Sequence, residues 1–435
     1  MLKSIFKKIV IAAITLEAKL ILKRHKPKII AITGSVGKTS TKDAINAVMS
    51  PKFEVRRSKK SYNSEIGAPL TILDEESGWS NPLRWISIIL KGIYLTLFSS
   101  KYPEFLILEI GVEKPKDMDS LLSWIKPHVA VITALAEIPV HVEFFSGPEA
   151  VAKEKSKILK NLEVDNLAVL NSDDDAVFSM KDRSRAKIIS YGFGEGADIV
   201  ASGYKIIYKE GDQNKIIPEG ITFKVDSEGG SVPVRLFNVF GKHHVYPILA
   251  AFAVGKSFGL NLVEMSEAFS SYESPAGRLK LIEGEKGSFV LDDTYNASPM
   301  AMRAALETLA DIPAKRKIVV LGDMLQLGKY AIESHKAMAE YILKSGAKIV
   351  FSIGPRMKFM AETLRENNFI AKNIFEFPDS SAAKKKVEEI IEEGDLILVK
   401  GSQSMRMEKI VEEIIARPER RKELLVRQEK EWLNR

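Results

Sequence analysis

The segment Lys28–Thr33 and the loop behind it constrain the fold of this 435-residue chain more than any other feature. KIIAIT is short, apolar and rich in β-branched residues, and it ends at Gly34, so it predicts a buried parallel strand that leads into a loop. The pattern over Lys38–Met49 predicts a helix. Strand, loop and helix in this order are typical of a doubly wound α/β sheet.

The loop itself, Gly34 to Thr39 (GSVGKT), has the composition of a phosphate-binding loop. Its glycines let the backbone wrap around phosphate oxygens, and the N–H groups and dipole of the next helix point at them. Lys38 can reach the terminal phosphates of ATP, the Thr39 hydroxyl can bind Mg²⁺, and Ser40 continues the motif. The common pattern has a further glycine where this chain has Ile32, so the match is to a shorter form. A ligand-free glycine turn is the plainer interpretation, and the preceding strand and the Lys-Thr pair argue against it.

Similar patterns along the chain predict the fold class. Apolar strands separated by helical patterns occur at 105–108, 129–132 and 167–170, and again at 288–291, 317–321, 348–351 and 396–399. Residues 196–238 alternate like a small antiparallel section, 272–277 resemble a linker, and the charged tail from Arg417 predicts a solvated final helix. We therefore expect an α/β fold with an N-terminal amphipathic helix (1–27), a central P-loop domain with a mostly parallel sheet (28–274) and a Rossmann-like C-terminal domain (275–435).

Composition limits the chemistry and the location. The chain has no cysteine, which excludes disulfides, thiolate metal sites and cysteine nucleophiles and is typical of a reducing compartment. A net charge of +7 suits anionic substrates or an anionic membrane surface, and is too diffuse to indicate nucleic acid. No stretch predicts a membrane-spanning helix. We expect a cytoplasmic protein, with peripheral contact at the inner face of the membrane as an alternative.

Two apolar segments carry that alternative. Residues 1–24 begin with basic residues, and Glu17 and Lys19 interrupt their apolar run; without a small-residue cleavage site they do not predict a signal peptide. The preferred interpretation is a helix packed on the next domain, and the alternative is an amphipathic helix on a membrane surface. Residues 79–100 are apolar and aromatic, with Arg84 and Lys91 as their charges. They predict a packed helix or hairpin, or else a membrane or partner contact.

Two polar residues follow strands at the edge where open α/β sheets bind ligands. Glu109 comes directly after the strand at 105–108, where a carboxylate can hold Mg²⁺, although a solvated glutamate is common there. His141 lies in a polar loop shortly after the strand at 129–132. A lone histidine is more often structural than a metal ligand, so the residues alone leave both interpretations open.

Nine motifs in a fixed order give the chain a family resemblance. They are ITGSVGKTSTKD (32–43), SYNSEIGAPLTIL (61–73), LEIG (108–111), HVEFFSGPEAVAKEKSKIL (141–159), GKHHVYPILAA (241–251), GRLK (277–280), DDTYNASP (292–299), LGDMLQLG (321–328) and KGSQSM (400–405). In order and spacing they resemble the Mur ligases, most closely the MurF type, from about residue 28 to the C-terminal region.

The resemblance implies an ATP-dependent carboxylate–amine ligase. ATP phosphorylates an acceptor carboxylate, an amine attacks the acyl phosphate, and an amide and phosphate are released. The implied acceptor is muropeptide-like, the implied amine is D-alanyl-D-alanine or another amino acid or dipeptide, and the implied setting is cell-wall synthesis by a monomer. The implied cofactors are ATP and two Mg²⁺ ions, with a carbamylated lysine at Lys155 that turns a cation into an oxygen ligand.

The resemblance also assigns residues by position. The loop and Lys38 would hold the phosphates, Thr39 and Glu109 one metal, and His141 and Lys155 the second. Asn63 matches a residue near the acceptor carboxylate. The remaining positions are His244, Arg278, Asp292, Asp293, Tyr295 and Asn296 for the nucleotide, and His335, Lys400 and Ser402 for the amine substrate.

The chain departs from the family pattern in several places. His244 replaces an asparagine near the adenine, Lys157 replaces a glutamate, and Ser298 and Gln326 replace an asparagine and a glutamate. Only 33 residues precede Gly34, which predicts that the separate uridine-nucleotide-binding domain of MurF-type enzymes is lacking. Either the nucleotide is bound differently or the acceptor is another molecule, and a lipid-linked muropeptide is one hypothesis.

Two other functions stay open from the sequence. A folylpolyglutamate synthetase-like ligase also begins close to its P-loop, and the DDTYNASP and LGDMLQLG motifs argue against it. A P-loop ATPase or binding module would use the nucleotide without ligating anything. Release of ADP that needs both a carboxylate acceptor and an amine separates a ligase from the latter class.

Overall fold

A computed structural model describes residues 2–58, 66–79, 81–210, 216–429 and 432 of the chain. The strands are β1 Lys28–Thr33, β2 Val55–Arg57, β3 Phe105–Glu109, β4 Val129–Ile132, β5 Leu167–Asn171, β6 Lys187–Gly192, β7 Ile199–Glu210, β8 Ile216–Ser227, β9 Gly230–Phe237, β10 Lys280–Glu283, β11 Phe289–Asp293, β12 Arg316–Gly322, β13 Ile349–Ile353, β14 Ile374–Phe377 and β15 Asp395–Lys400. The helices are α1 Leu2–His25, α2 Lys38–Met49, α3 Gly67–Leu73, α4 Pro82–Leu97, α5 Asp117–Leu122, α6 Pro148–Lys160, α7 Asp175–Phe178, α8 Val245–Ser257, α9 Leu262–Glu267, α10 Pro299–Asp311, α11 Ala331–Ser345, α12 Lys358–Glu366, α13 Ser380–Ile390, α14 Glu408–Ile414 and α15 Arg421–Leu424.

The first sheet has nine strands in the order β2-β3-β1-β4-β5-β6-β7-β8-β9. The pairs from β2 to β7 are parallel, and β7, β8 and β9 pair antiparallel. β1 is an interior strand between β3 and β4, so the loop behind β1 opens at the carboxyl edge beside the ends of both neighbours. Open α/β sheets bind ligands at such an edge.

The second sheet has six strands in the order β10-β11-β15-β12-β13-β14, with β10 antiparallel to β11 and the other pairs parallel. The fold class predicted from the sequence is thereby confirmed: a mostly parallel sheet with an antiparallel section precedes a second α/β sheet.

Both sheets are covered on both faces, which explains their apolar strands. Along β1, Ile30 and Ile32 belong to one hydrophobic cluster, and Ile29 and Ala31 to another on the opposite face. Alternate residues of a strand point to opposite faces, so a strand buried on both sides must be apolar throughout. The second sheet likewise lies between two clusters.

α1 and α4 form part of the cover on one face of the first sheet. α1 buries Val10, Ile14, Ala18 and Ile21 in the same cluster that receives the buried residues of α4. The Arg24 guanidinium at the end of α1 donates hydrogen bonds to carbonyls in the last turn of α4. The structure therefore agrees with the preferred interpretation of a packed N-terminal helix. No helix among the described residues is long and apolar enough to cross a membrane.

The C-terminal tail differs from the prediction. Beyond Arg417 the described residues form a 3₁₀ turn at Pro418–Arg420 and the short helix α15, and the chain then turns back onto the second sheet. Leu425 and Arg427 are buried, and the Arg427 guanidinium donates to the carbonyl of Thr294 at 3.0 Å and to Glu408 Oε2 at 2.8 Å. The prediction of a solvated final helix is wrong because these inward-facing residues anchor the tail.

Candidate active site

The phosphate-binding loop is held by the end of the neighbouring strand β4. Thr133 Oγ1 donates a hydrogen bond to the Val36 carbonyl at 2.6 Å, and the Ser35 amide donates to the Ala134 carbonyl at 2.7 Å. Gly34 has φ 149°, and a Cβ there would lie 2.0 Å from Thr133 Oγ1. The loop conformation thus requires glycine at position 34.

Lys38 begins α2 directly after Gly37, whose φ of 85° is in the left-handed region. Its Nζ donates to the Gly34 carbonyl at 2.9 Å, which folds the side chain back over the loop. Burial lowers the pKa of Lys38, Glu109 opposes this, and Arg278 adds to it. The lysine and the amino end of α2 together face the loop that the sequence predicts to bind phosphate.

Thr39 and Glu109 lie together, as the resemblance implies. Thr39 Oγ1 donates to Glu109 Oε2 at 3.2 Å. Lys42, one helical turn after Lys38, places its buried Nζ 3.0 Å from Glu109 Oε1. Its Nζ also lies 3.3 Å from Ser58 Oγ. The carboxylate is therefore fixed from both sides next to the loop.

His141 and Lys155 face the same cavity from another direction. His141 has φ 68° at the start of a short helical turn, and its buried Nδ1 has no hydrogen-bond partner among the described residues. Burial, Lys155 and Lys38 lower the pKa of His141 to about 4, with Asp117 opposing. The ring is therefore neutral at neutral pH, the form that binds metals.

Lys155 lies on α6 and is 4% exposed. Burial and the nearby Lys38 lower the pKa of its amine far below the ordinary lysine value. No carboxylate in the described part of the chain forms an ion pair with it, whereas Lys157 on the same helix pairs with Glu154 at 2.6 Å. A buried amine without a counter-ion is costly for the fold, which makes this position a candidate for chemistry.

The second sheet contributes a buried ionic cluster at the ends of β11 and β15. Lys400 Nζ lies 2.6 Å from Asp293 Oδ2 and donates to the Asn296 carbonyl at 2.9 Å. Asp292 accepts two hydrogen bonds from Thr294 through Oδ1. Its Oδ2 has no partner among the described residues, and burial raises the pKa of the group to about 6.

Arg278, just after the predicted linker, stacks on Tyr295 with its guanidinium carbon 4.0 Å from the ring centroid. Asn296 Oδ1 accepts from the Gln403 amide at 3.2 Å, which ties two loops together. His244 is buried, and its Nε2 has no partner in the described chain. Burial and His243 lower the pKa of His244 strongly, so it is a neutral ring behind the site.

A cavity of about 780 Å³ joins the two sheets. Of the residues predicted for the site, those on its wall are Gly34, Ser35, Val36, Gly37, Lys38, Thr39, Ser40, His141, Lys155, Arg278, Tyr295, Asn296 and Ser402. Two of the departures from the family pattern, Ser298 and Gln326, also line it.

The other predicted residues lie behind that wall or outside the description. Glu109, His244, Asp292, Asp293 and Lys400 are buried in direct or close support of wall residues. His335 is fully buried: its Nε2 accepts from the Met324 amide at 3.0 Å, and its Nδ1 lies 2.6 Å from the Ala331 carbonyl. In this structure His335 fixes the loop after β12 and does not reach the cavity. Asn63 falls outside the described residues.

The sequence reasoning missed several supporting residues. Lys42 is one turn after Lys38 on the same helix, a spacing that signals a shared face. Thr133 closes β4, a polar strand end of the kind that marked Glu109. Trp432 also lines the cavity, and its ring lies edge-on to Trp79 with centroids 6.2 Å apart. Nothing in the charged tail signals that contact.

Sheet order, loop and cavity together define a P-loop nucleotide-binding protein with a second α/β unit facing the loop. Two protein-family profiles match the chain: the Mur ligase middle domain over residues 88–255 and the Mur ligase, glutamate ligase domain over residues 277–403. Together they span most of both sheets. The chain belongs to the Mur ligase family.

The chain is similar to several named proteins over most of its length. The UDP-N-acetylmuramoyl-tripeptide–D-alanyl-D-alanine ligase of Bacillus subtilis is 28% identical over 402 residues, which cover 92% of this chain and 79% of that protein. The structure of MurF from Thermotoga maritima in complex with ADP superposes with a TM-score of 0.72 at 23% identity, covering 93% and 83% of the two chains. Folylpolyglutamate synthase of Mycobacterium tuberculosis, complexed with ADP, gives 0.63 at 16% identity, with 93% and 94% covered.

Proposed function

We propose that this protein is an ATP-dependent ligase of the Mur type that joins a muropeptide-like carboxylate to D-alanyl-D-alanine or a related amine in peptidoglycan synthesis. The observation that carries the proposal is the shared cavity, in which the loop and Lys38 from one sheet face Arg278 and Ser402 from the other. A ligase must hold ATP, acceptor and amine together, and a cavity between two α/β units offers that arrangement.

The positions of the basic groups around the cavity fit roles in binding the phosphates of ATP. Lys38 and the α2 amides would bind the β- and γ-phosphates, and Arg278 would add positive charge from the opposite side. Phosphoryl transfer needs positioning and charge neutralisation more than covalent help from the protein. We propose that residues 28–274 and 275–435 are separate domains and that closure about the linker at 272–277 brings Arg278 onto the phosphates.

The donor atoms near the loop fit Mg²⁺ at one position. Thr39 Oγ1 and Glu109 are hard oxygen donors 3.2 Å apart, the kind that Mg²⁺ prefers. Bound there with ATP, the ion would neutralise charge on the transferring phosphoryl group. Lys42, which contacts Glu109 at 3.0 Å, would keep that carboxylate oriented.

The second proposed metal position depends on Lys155. The Nδ1 atom of the neutral His141 ring has no hydrogen-bond partner among the described residues, and a lysine amine beside it is a poor Mg²⁺ ligand. A carbamate on Lys155 would supply oxygen donors, and its formation requires the neutral amine that burial among cations favours. We therefore propose that Lys155 is carbamylated in the active enzyme.

Two alternatives fit less well. The folylpolyglutamate synthase likeness is a fold likeness at 16% identity, whereas the MurF-type relative matches at 28% over 402 residues. A nucleotide switch that ligates nothing would have no substrate for Ser402 and Asn296, which line the cavity. Because ATP is kept inside cells, we place the reaction in the cytoplasm.

The test is release of ADP by the purified chain with a soluble muropeptide tripeptide acceptor and D-alanyl-D-alanine. We expect turnover only when both are present. Lys38→Ala and Lys155→Met should each slow it about 10²–10³-fold, because the first removes a positive charge at the phosphates and the second removes the proposed oxygen donors for the second metal. Lys153→Met, two residues from Lys155 on the exposed side of α6, is the matched control and should stay within about twofold.

Equal ADP release without acceptor or amine would refute ligation and favour an ATPase. Mass spectrometry of the intact protein with bicarbonate tests the carbamate separately. A mass increase of one carbon dioxide in the wild type and its absence in Lys155→Met are expected.

A further inference from the structure

α4 exposes an apolar stripe although its other side is buried. Leu83, Ile86, Leu90, Ile93 and Leu97 recur at intervals of three and four residues, and all are exposed, Leu90 to 61%. Residues at this spacing share one face of a helix. The opposite stripe, which includes Trp85 and Ile88, packs into the core.

α1 repeats this arrangement beside it. Phe6, Ile9, Leu16 and Leu20 are exposed at helical spacing, while the other side of α1 enters the same core cluster as α4. Because both helices bury one side in one cluster and contact each other, their exposed stripes face the same way. We call this combined surface of α1 and α4 the outer face.

The exposed charges that the two helices themselves carry are basic, and the nearby Glu75 forms ion pairs with Arg84 and Lys91 of α4. Lys7, Lys8, Lys19 and Lys23 are exposed on α1, and α4 contains no acidic residue. The acidic residue of α1, Glu17, is buried against Gly92, where a Cβ would come within 2.1 Å of its carboxylate. The two helices therefore present apolar stripes flanked by lysines, with no exposed carboxylate of their own.

This combination matches a bilayer better than a protein surface. Soluble proteins rarely expose contiguous apolar areas of this kind. Helices that lie in a membrane interface bury an apolar side among the acyl chains and place basic residues at anionic headgroups. Trp79, before α4, and Tyr94, near its end, are exposed aromatic residues of the type that favours the interface.

We propose that the outer face docks on a bilayer containing anionic lipids, with α1 and α4 lying in the plane of the interface. Trp79 at the edge of this face contacts Trp432 on the cavity wall, so docking brings the cavity close to the lipid surface. A carboxylate acceptor attached to a lipid is then the favoured substrate class. That second statement rests on the proposed ligase function, and the docking itself does not.

The experiment is co-sedimentation of the full chain with vesicles of phosphatidylcholine alone or mixed with phosphatidylglycerol. The variant Ile86→Asp/Leu90→Asp should bind the mixed vesicles at least tenfold more weakly than the wild type. The matched control is Val263→Asp/Ile370→Asp, because these residues are apolar and equally exposed (56% and 58%, against 53% and 61%) but lie on other helices and loops. It should bind like the wild type. Lys19→Gln/Lys23→Gln should weaken binding to the mixed vesicles alone.

Failure of the wild type to sediment with mixed vesicles, or equal loss in both double-aspartate variants, would overturn docking. So would a dimer in the absence of lipid that Ile86→Asp/Leu90→Asp dissociates, since the face would then be a protein interface. Turnover on a soluble acceptor should survive in that variant, whereas turnover on a vesicle-bound acceptor should fall at least tenfold. Vesicle binding without any ligation would reject the proposed function and leave docking standing.

Discussion

Two buried lysines, one on each side of the cavity, differ in whether they have a counter-ion. On the side of the second sheet, Lys400 is paired with Asp293 at 2.6 Å. Glu408 there forms ion pairs with both Arg406 and Arg427. On the side of the first sheet, Lys155 is equally buried and has no carboxylate partner among the described residues. The charge of Lys400 is neutralised by the folded chain itself, whereas the site around Lys155 is completed only by what it binds.

That contrast follows from the energetics of burial. A charge moved from water into the interior costs several kcal/mol unless a partner offsets it, so a folded protein keeps an unpaired buried amine only where something else requires it. The paired cluster holds the ends of β11 and β15 in place. Positive potential at the point where phosphate groups would enter comes from Lys38 and Arg278, which line the cavity.

The same substitution at the two lysines provides the sharpest test. Lys400→Met should lower the free energy of unfolding by about 3–5 kcal/mol, because Asp293 is left buried and unpaired. Lys155→Met should leave it unchanged or raise it, because it removes an amine that has no counter-ion. Denaturant unfolding of each variant, without metal or bicarbonate, measures both values.

A double variant controls for packing at the first of these positions. Lys400→Met/Asp293→Leu should recover most of the lost stability, since both charges are then gone. If Lys155→Met costs as much as Lys400→Met, the proposed contrast between the two sides does not hold.

Glu17 extends the comparison to a carboxylate far from the cavity. Burial raises its pKa to about 7, and Oε2 has no hydrogen-bond partner in the described chain. The folded protein therefore holds this proton more tightly than the unfolded chain, and stability falls as pH rises from the ordinary glutamate pKa through about 7.

Glu17→Gln should accordingly match the wild type near pH 4.5 and exceed its stability by about 1–3 kcal/mol at about pH 8. Thermal unfolding at the two pH values measures the difference, with Glu285→Gln, in a loop outside α1, as a control. A constant difference across the range would mean that Glu17 does not titrate with folding.

The smallest expected effect concerns the support of the loop. Thr133→Val keeps the volume of the side chain and removes the hydrogen bond to the Val36 carbonyl, worth about 1 kcal/mol. Nucleotide affinity should fall about fivefold, and the free energy of unfolding should fall by no more than about 1 kcal/mol. Thr133→Ser, which retains the hydroxyl, should bind nucleotide almost normally; equal losses in both variants would assign the effect to packing.

Much of the fold followed from patterns that the sequence carries locally. The strands at Lys28–Thr33 and Val129–Ile132 and the helix Lys38–Met49 have the predicted bounds, because apolar runs that end in glycine or polar residues identify buried parallel strands. Short edge strands such as β2 and β14 were not predicted, since three or four partly exposed residues carry no clear period.

The site was less predictable where it depends on distant parts of the chain. The phosphate-binding loop is recognisable from its own sequence. Lys155 lies among other lysines, and only the fold distinguishes it, because the fold buries Lys155 and leaves Lys153 exposed. His335 illustrates the opposite case: the family resemblance assigned it to the amine substrate, whereas the fold satisfies both of its ring nitrogens with backbone groups. Tertiary contacts of this kind have no local signature.

The contact of Trp432 with Trp79 gives the protein an intrinsic fluorescence probe. Only four tryptophans are present, and one of them lies on the cavity wall while its neighbour belongs to the other half of the molecule. A movement that changes the distance between the two halves changes the surroundings of both indole rings. Ligand titrations can therefore be followed by native fluorescence without a dye, and an affinity tag is better attached away from the carboxyl terminus.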